Sequence, residues 1–92
     1  MEGGKYTLVF SVSFERILRR LRKKNPDLAR ALISHFPKLE RDPELGKPLR
    51  NALRRFRRIH VESSFVLLYE IRNLDIHLVD FDHHDRIYKK CS

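Results

Sequence analysis

The apolar residues of this chain switch from helical to strand spacing near its middle, and that switch limits the possible folds more than any other feature. Phe14, Ile17, Leu18 and Leu21 recur at helical intervals, and Leu28, Leu32, Phe36 and Leu39 extend the stripe. From Phe56 onward the period becomes two. Ile59 and Val61 share one face, and Arg58 and His60 share the other. A helical stripe must be covered, and a half-apolar sheet offers the surface to cover it. The pattern therefore predicts an α+β fold. An antiparallel sheet of about four strands carries an N-terminal helical hairpin on one face, within one small domain spanning residues 1–92.

Local signals divide this plan. Gly3-Gly4 ends a short leader, and Lys5–Phe10 reads as a strand. Ser13 is the expected cap of the first helix. Asn25-Pro26-Asp27 starts the second, with a cap, a proline at the first helical position and an acid facing the dipole. Pro37 should kink that helix or end it early. Asp42–Leu53, with Pro43, Gly46 and Pro48, reads as a loop. Phe56–Val61, Phe65–Ile71 and Ile76–Asp82 read as strands, the second central and the last two joined by a turn at Arg72–Asp75. The chain then runs into FDHHDRIYKK, read as an exposed tail. No repeat, linker or low-complexity segment interrupts it.

Charge narrows the function. Twenty basic and 12 acidic residues give a net charge of +8, which points to a polyanionic partner. The lone cysteine, Cys91, is expected to be an exposed bystander and forms no internal disulfide, which fits a reducing cytoplasm. No stretch reaches transmembrane length, and Tyr6–Phe10 is too short for a signal peptide. The first helix is basic and amphipathic, but its apolar stripe is needed for the core, so membrane binding is a poor reading.

The C-terminal half holds the side chains that cleavage of RNA requires. RNA supplies its own nucleophile, the 2′-hydroxyl. An enzyme adds a base, an acid and cations around the phosphate. Histidine suits proton transfer, Arg and Lys suit the phosphate, and aromatic rings hold unstacked bases. Taken alone, a strand histidine is usually a surface residue, and an arginine-rich strand can be a solvated face.

Two stretches, RRIHVESSFVLLYEI from Arg57 and DFDHHDRIYKK from Asp80, resemble the RelE toxin superfamily and its YafQ-like branch. Members of that family are small ribosome-dependent mRNA interferases of toxin–antitoxin modules. The resemblance implies a RelE-like fold, mRNA in the ribosome as target, an acidic cognate antitoxin as partner, and no cofactor or membrane. It implies His60 and His84 as an acid–base pair and Tyr88 as the C-terminal aromatic. Lys47, in GKPLR, stands where YafQ-like chains have histidine and near catalytic lysines of RelE itself. Lys47, Arg58 and Arg86 are expected to stabilise the phosphate, and Phe65 with Tyr88 to position a base. Arg54, Arg55, Arg57 and Lys89 are expected to contact RNA. Ser64 replaces a family acid, and Val66 replaces an arginine of RelE proper, which favours the histidine-based branch. His83 is assigned a solvated or supporting role, and His35 and His77 a structural or surface one. The alternative is a non-catalytic relative, either a ParE-like gyrase inhibitor or a chain that only binds its antitoxin.

Asp80, Asp82, His83, His84 and Asp85 also look like metal ligands. Neighbouring side chains on one strand diverge, so no metal site is expected there. The DHH phosphoesterases, which share the DHH string, need further acidic motifs far upstream in a much longer chain.

Overall fold

The computed structural model describes residues 6–91. Gly3, Gly4 and Lys5, and with them the expected leader, lie outside the described residues, as does the side chain of Cys91.

Strand β1, Thr7–Phe10, leads into helix α1, Val12–Lys24. The cap is Ser11 rather than Ser13. Ser11 is extended, its Oγ accepts the Phe14 N–H at 3.0 Å, and Ser13 Oγ lies 3.2 Å from it. Helix α2, Pro26–Ile33, starts as expected, with Asn25 Oδ1 accepting the Leu28 N–H. A proline ring clashes with the carbonyl four residues back, which for Pro37 is that of Ile33. Helix α2 ends at Ile33, and Pro37 falls in the first turn of α3, Phe36–Arg41, where it is tolerated.

The segment read as a loop contains more order. A 3₁₀ turn at Pro43–Leu45 precedes a two-residue strand β2, Lys47–Pro48, and a second turn covers Asn51–Leu53. Strand β2 pairs antiparallel with β3, Phe56–Val61, placing Lys47 opposite Arg58. Two contacts hold this segment down. The Tyr69 hydroxyl donates to the Pro43 carbonyl at 2.7 Å and accepts the Gly46 N–H at 2.8 Å. Gly46 packs so tightly that a Cβ there would lie 2.7 Å from the Arg58 carbonyl oxygen.

Strands β4, Phe65–Arg72, and β5, Asp75–His83, complete a mixed five-stranded sheet of order β1-β5-β4-β3-β2. The sheet thus has one strand more than expected, and β1 joins it parallel to β5. The pairing of β4 with β5 slips between Leu68 and Tyr69, so that Leu68 faces Asp80 and Tyr69 faces Leu78. The extra residue, Val79, changes the alternation. Ile76 and Leu78 reach the helix-side core before the slip, and Phe81 reaches the same core after it.

Helices α1, α2 and α3 cover one face, with Phe14, Leu28, Leu32, Phe36 and Leu39 against Val61, Leu67 and Tyr69. The other face is partly covered too. FDHHDRIYKK is not a tail: His84–Cys91 forms helix α4, which buries Ile87 against Val66 and Leu68. With cover on both faces, β4 is buried along most of its length. Beyond Leu78, β5 has no strand on its outer side among the described residues. There the Phe81 and His83 N–H groups donate to the carboxylates of Asp80 and Asp82, each at 2.8 Å. No described helix is long and apolar enough to cross a membrane.

Candidate active site

Alternation along β3 sends Ile59 and Val61 to the helix-side core and Arg58 and His60 to the opposite face. Lys47, Arg58 and His60 line one shallow cleft with Leu45 and Ile59. His60 is exposed, and the Tyr69 latch on Gly46 fixes the backbone that delivers Lys47. Two strands away from His60, in the row through Val66, lies Asp82. That separation is about 10 Å, and α4 stands above it.

Helix α4 is oriented by its contacts. Ile87 points into the sheet. On the β5 side, Lys90 Nζ lies 2.9 Å from Asp80 and 3.1 Å from Asp82, and Arg86 reaches Asp82 at 3.4 Å. Helical spacing then assigns His84 and Tyr88, four residues apart, to the other flank, toward β3. Tyr88 is 40% exposed. The His84 backbone N–H donates to the Ser64 carbonyl at 2.8 Å, tying the start of α4 to the turn that follows His60 and Val61. That turn puts Glu62 at φ 57°, in the left-handed region. His60 and His84 therefore come to the same end of the sheet, on opposite sides of β4.

The clamp beneath α4 is electrostatically biased. Burial pushes the Asp82 carboxyl upward, but the His83 N–H, Lys90 and Arg86 together hold it below its ordinary value. Lys90 is held above its ordinary value, chiefly by its hydrogen bond to Asp80 and then by Asp82, against a burial effect of opposite sign. Asp80 and Asp82, which look like metal ligands in the sequence, are thus the anchors of α4. Nothing in the spacing of the sequence reveals this, because the partner cations lie on the next element.

Other expected contacts are dispersed. Arg57 alternates to the helix side, where its guanidinium donates to the Gly46 carbonyl at 2.7 Å and the Glu44 carbonyl at 3.4 Å. Arg54 and Arg55 precede β3 and so are not part of one charged strand face. Arg55 pairs with Glu70 at 3.5 Å and lies over the Phe56 ring. Phe65 stacks on Phe81 at 5.6 Å within the helix-side cluster, away from Arg58 and His60. Lys89 is exposed on α4. His35 Nδ1 meets the Ala31 carbonyl at 2.9 Å, and His77 lies on β5 opposite Glu70.

His83 and His84 do not diverge. Strand alternation stops at His83, α4 begins at His84, and the two rings stack with centroids 4.5 Å apart. Asp85 Oδ1 lies 3.0 Å from His84 Nδ1. The sequence reading assumed a continuing strand and so placed these side chains apart.

A family model described as the ParE toxin of the type II toxin–antitoxin system parDE matches residues 8–88. The chain is 36% identical over 87 residues to a putative toxin RelE4 of Methanocaldococcus jannaschii, covering 92% of this chain and 93% of that protein. A chain of the RelBE2 toxin–antitoxin complex from Mycobacterium tuberculosis superposes with a TM-score of 0.72 at 28% identity, over 89% of this chain and 94% of that one. A chain of the DinJ–YafQ toxin–antitoxin complex of E. coli gives a TM-score of 0.74 at 16% identity, over 91% of this chain and 98% of that one, a likeness of fold.

Proposed function

The chain belongs to the RelE/ParE superfamily of type II toxin–antitoxin toxins, and from that premise we propose that it is a ribosome-dependent endoribonuclease that cleaves mRNA by metal-independent acid–base catalysis. The observation that carries this reading is the convergence of two element ends. Lys47, Arg58 and His60 line one cleft, and the start of α4 is tied to the turn after β3 through Ser64. Helical spacing then directs the flank of α4 that holds His84 and Tyr88 toward that strand. In this scheme one histidine takes the 2′-hydroxyl proton while the other protonates the leaving 5′-oxygen. Lys47 and Arg58 meet the charge that builds on the phosphate. Tyr88 stacks a base. Arg86 is committed to Asp82 and acts by holding α4 in place. The whole chain acts as one domain in the cytoplasm, and an acidic antitoxin neutralises it, in keeping with the toxin–antitoxin complexes among its structural neighbours.

The test is incubation with translating ribosomes, followed by mapping of mRNA ends. Internal attack leaves a 2′,3′-cyclic phosphate or 3′-phosphate and a 5′-hydroxyl. Metal-assisted hydrolysis with a free 3′-hydroxyl on the product would exclude the scheme. A second reading is favoured by the ParE description of the matching family model: inhibition of gyrase without RNA cleavage. Intact mRNA together with loss of gyrase supercoiling would select it.

A further inference from the structure

Three donor side chains meet where β5 ends and α4 begins. The imidazoles of His83 and His84 are stacked at 4.5 Å, with planes inclined by 29°. Asp85 faces both, Oδ1 being 3.0 Å from His84 Nδ1 and Oδ2 3.8 Å from His83 Nδ1. One ligand atom from each residue lies within 4.8 Å of the other two. Donors bound to one ion at about 2.0–2.2 Å stand roughly 3–4 Å from each other. Small side-chain rotations, with loss of the weak 3.3 Å contact from the Asp85 N–H to His83 Nδ1, complete such a set. The backbone there is already held, by the Ser64 contact and by buried Ile87. The two histidine side chains are 36% and 40% exposed, so an ion can enter and keep a water on its open side. Two imidazole nitrogens and one carboxylate suit a borderline dication, whereas Mg²⁺ and Ca²⁺ prefer all-oxygen sets.

We propose that His83, His84 and Asp85 form a binding site for a Zn²⁺- or Cu²⁺-type dication, and that its occupancy switches off RNA cleavage by engaging His84. The inhibitory half rests on the function proposed above, while the site itself does not. An ion on the imidazole takes the lone pair that proton transfer needs, and it pins a ring that must otherwise face substrate. Metal is therefore an inhibitor of this chemistry and no part of it.

Two measurements on the full chain test the proposal. Cu²⁺ titration followed by electron paramagnetic resonance should show one ion per chain with couplings from two imidazole nitrogens. His83→Asn should weaken binding by at least about tenfold, since even outer-shell losses cost that much. The paired change His83→Asn with His84→Asn should remove the nitrogen couplings while the circular dichroism spectrum stays unchanged. Absence of saturable binding, or two-nitrogen couplings that survive the paired change, would overturn the site. In the second measurement, cleavage is compared without Zn²⁺ and at a free Zn²⁺ concentration that saturates the wild-type site, as a ratio for each protein so that basal rates cancel. The wild-type rate should fall by about 10², the worth of one general acid or base, and recover on chelation. Asp85→Asn should blunt the fall. Binding without any change in rate would overturn the inhibition and leave the site standing. A wild type that binds the ion but cuts no RNA would sink the nuclease reading and the inhibition with it, again leaving the site.

Discussion

Replacing Tyr69 by Phe removes one oxygen that closes two hydrogen bonds. The Pro43 carbonyl and the Gly46 N–H are both buried, at 2.7 and 2.8 Å from it. Each is left without a partner, at a cost of about 1–3 kcal/mol per buried polar group. With partial relaxation of the segment, the loss should be about 3 kcal/mol, out of the roughly 5–15 kcal/mol that holds a small domain together. Urea unfolding should show this as a lower midpoint with an unchanged slope. Amide exchange at Gly46 should accelerate more than at Leu67 on the central strand. Alkaline pH supplies an independent readout. Burial raises the Tyr69 phenol above 10.0, outweighing the Gly46 hydrogen bond, so the folded chain keeps this proton to higher pH than the unfolded chain. Its contribution is complete below about pH 10 and is lost as pH rises through the folded value. The variant should therefore lose less stability than the wild type above pH 10. A cost under about 0.5 kcal/mol with unchanged Gly46 exchange would refute the reasoning. It would mean that the pairing of β2 with β3 and the Arg57 contacts to the Gly46 and Glu44 carbonyls suffice to hold Lys47 beside Arg58.

His60→Ala and His84→Ala should each lower cleavage by about 10²–10⁴ and together cost far less than the product, while stability moves by under about 1 kcal/mol; matched thermal melts and single-turnover rates decide. Lys90→Ala should speed amide exchange at Ile87. In the wild type the Asp82 contribution to α4 docking is present above pH 3.8 and lost as pH falls through the depressed folded value, and that of Lys90 is present below pH 10.5 and lost as pH rises through the raised one. Gly46→Ala should destabilise by about 1–3 kcal/mol, because the new Cβ meets the Arg58 carbonyl and neither backbone can yield cheaply; chemical shifts of Lys47 and Arg58 should move together. Association with an acidic antitoxin should slow steeply as salt rises, given a net charge of +8; an on-rate indifferent to ionic strength would remove charge as the recognition element.

What the sequence reveals follows from the range of the forces involved. Strand β3 and the turn at Asn73, whose φ is 55°, follow from alternation and turn chemistry, which act between neighbours. The break between α2 and α3 follows from one proline ring. Strand β2 does not, since two residues carry no period and its position depends on Tyr69, 23 residues after Gly46. The parallel pairing of β1 is equally remote from local pattern. The slip at Val79 reverses which face each later residue takes, so a strict period of two misleads from there to His83. Alternation and resemblance made it legible that His60, Arg58 and Lys47 lie near one another, as the cleft they line shows. The relation of His83 to His84 was not, because the change from strand to helix falls between them.

The outer rim of β5 joins two events that a looser design would keep apart. Asp80 and Asp82 occupy the N–H groups of Phe81 and His83, and the same carboxylates hold Lys90. Any strand that lengthened the sheet at residues 79–83 would compete for those N–H groups and turn the two aspartates away. It would thereby loosen the helix that carries His84 and Tyr88. A ligand at the rim, on the far side of β4 from His60, would thus dismantle the proposed catalytic arrangement without entering it.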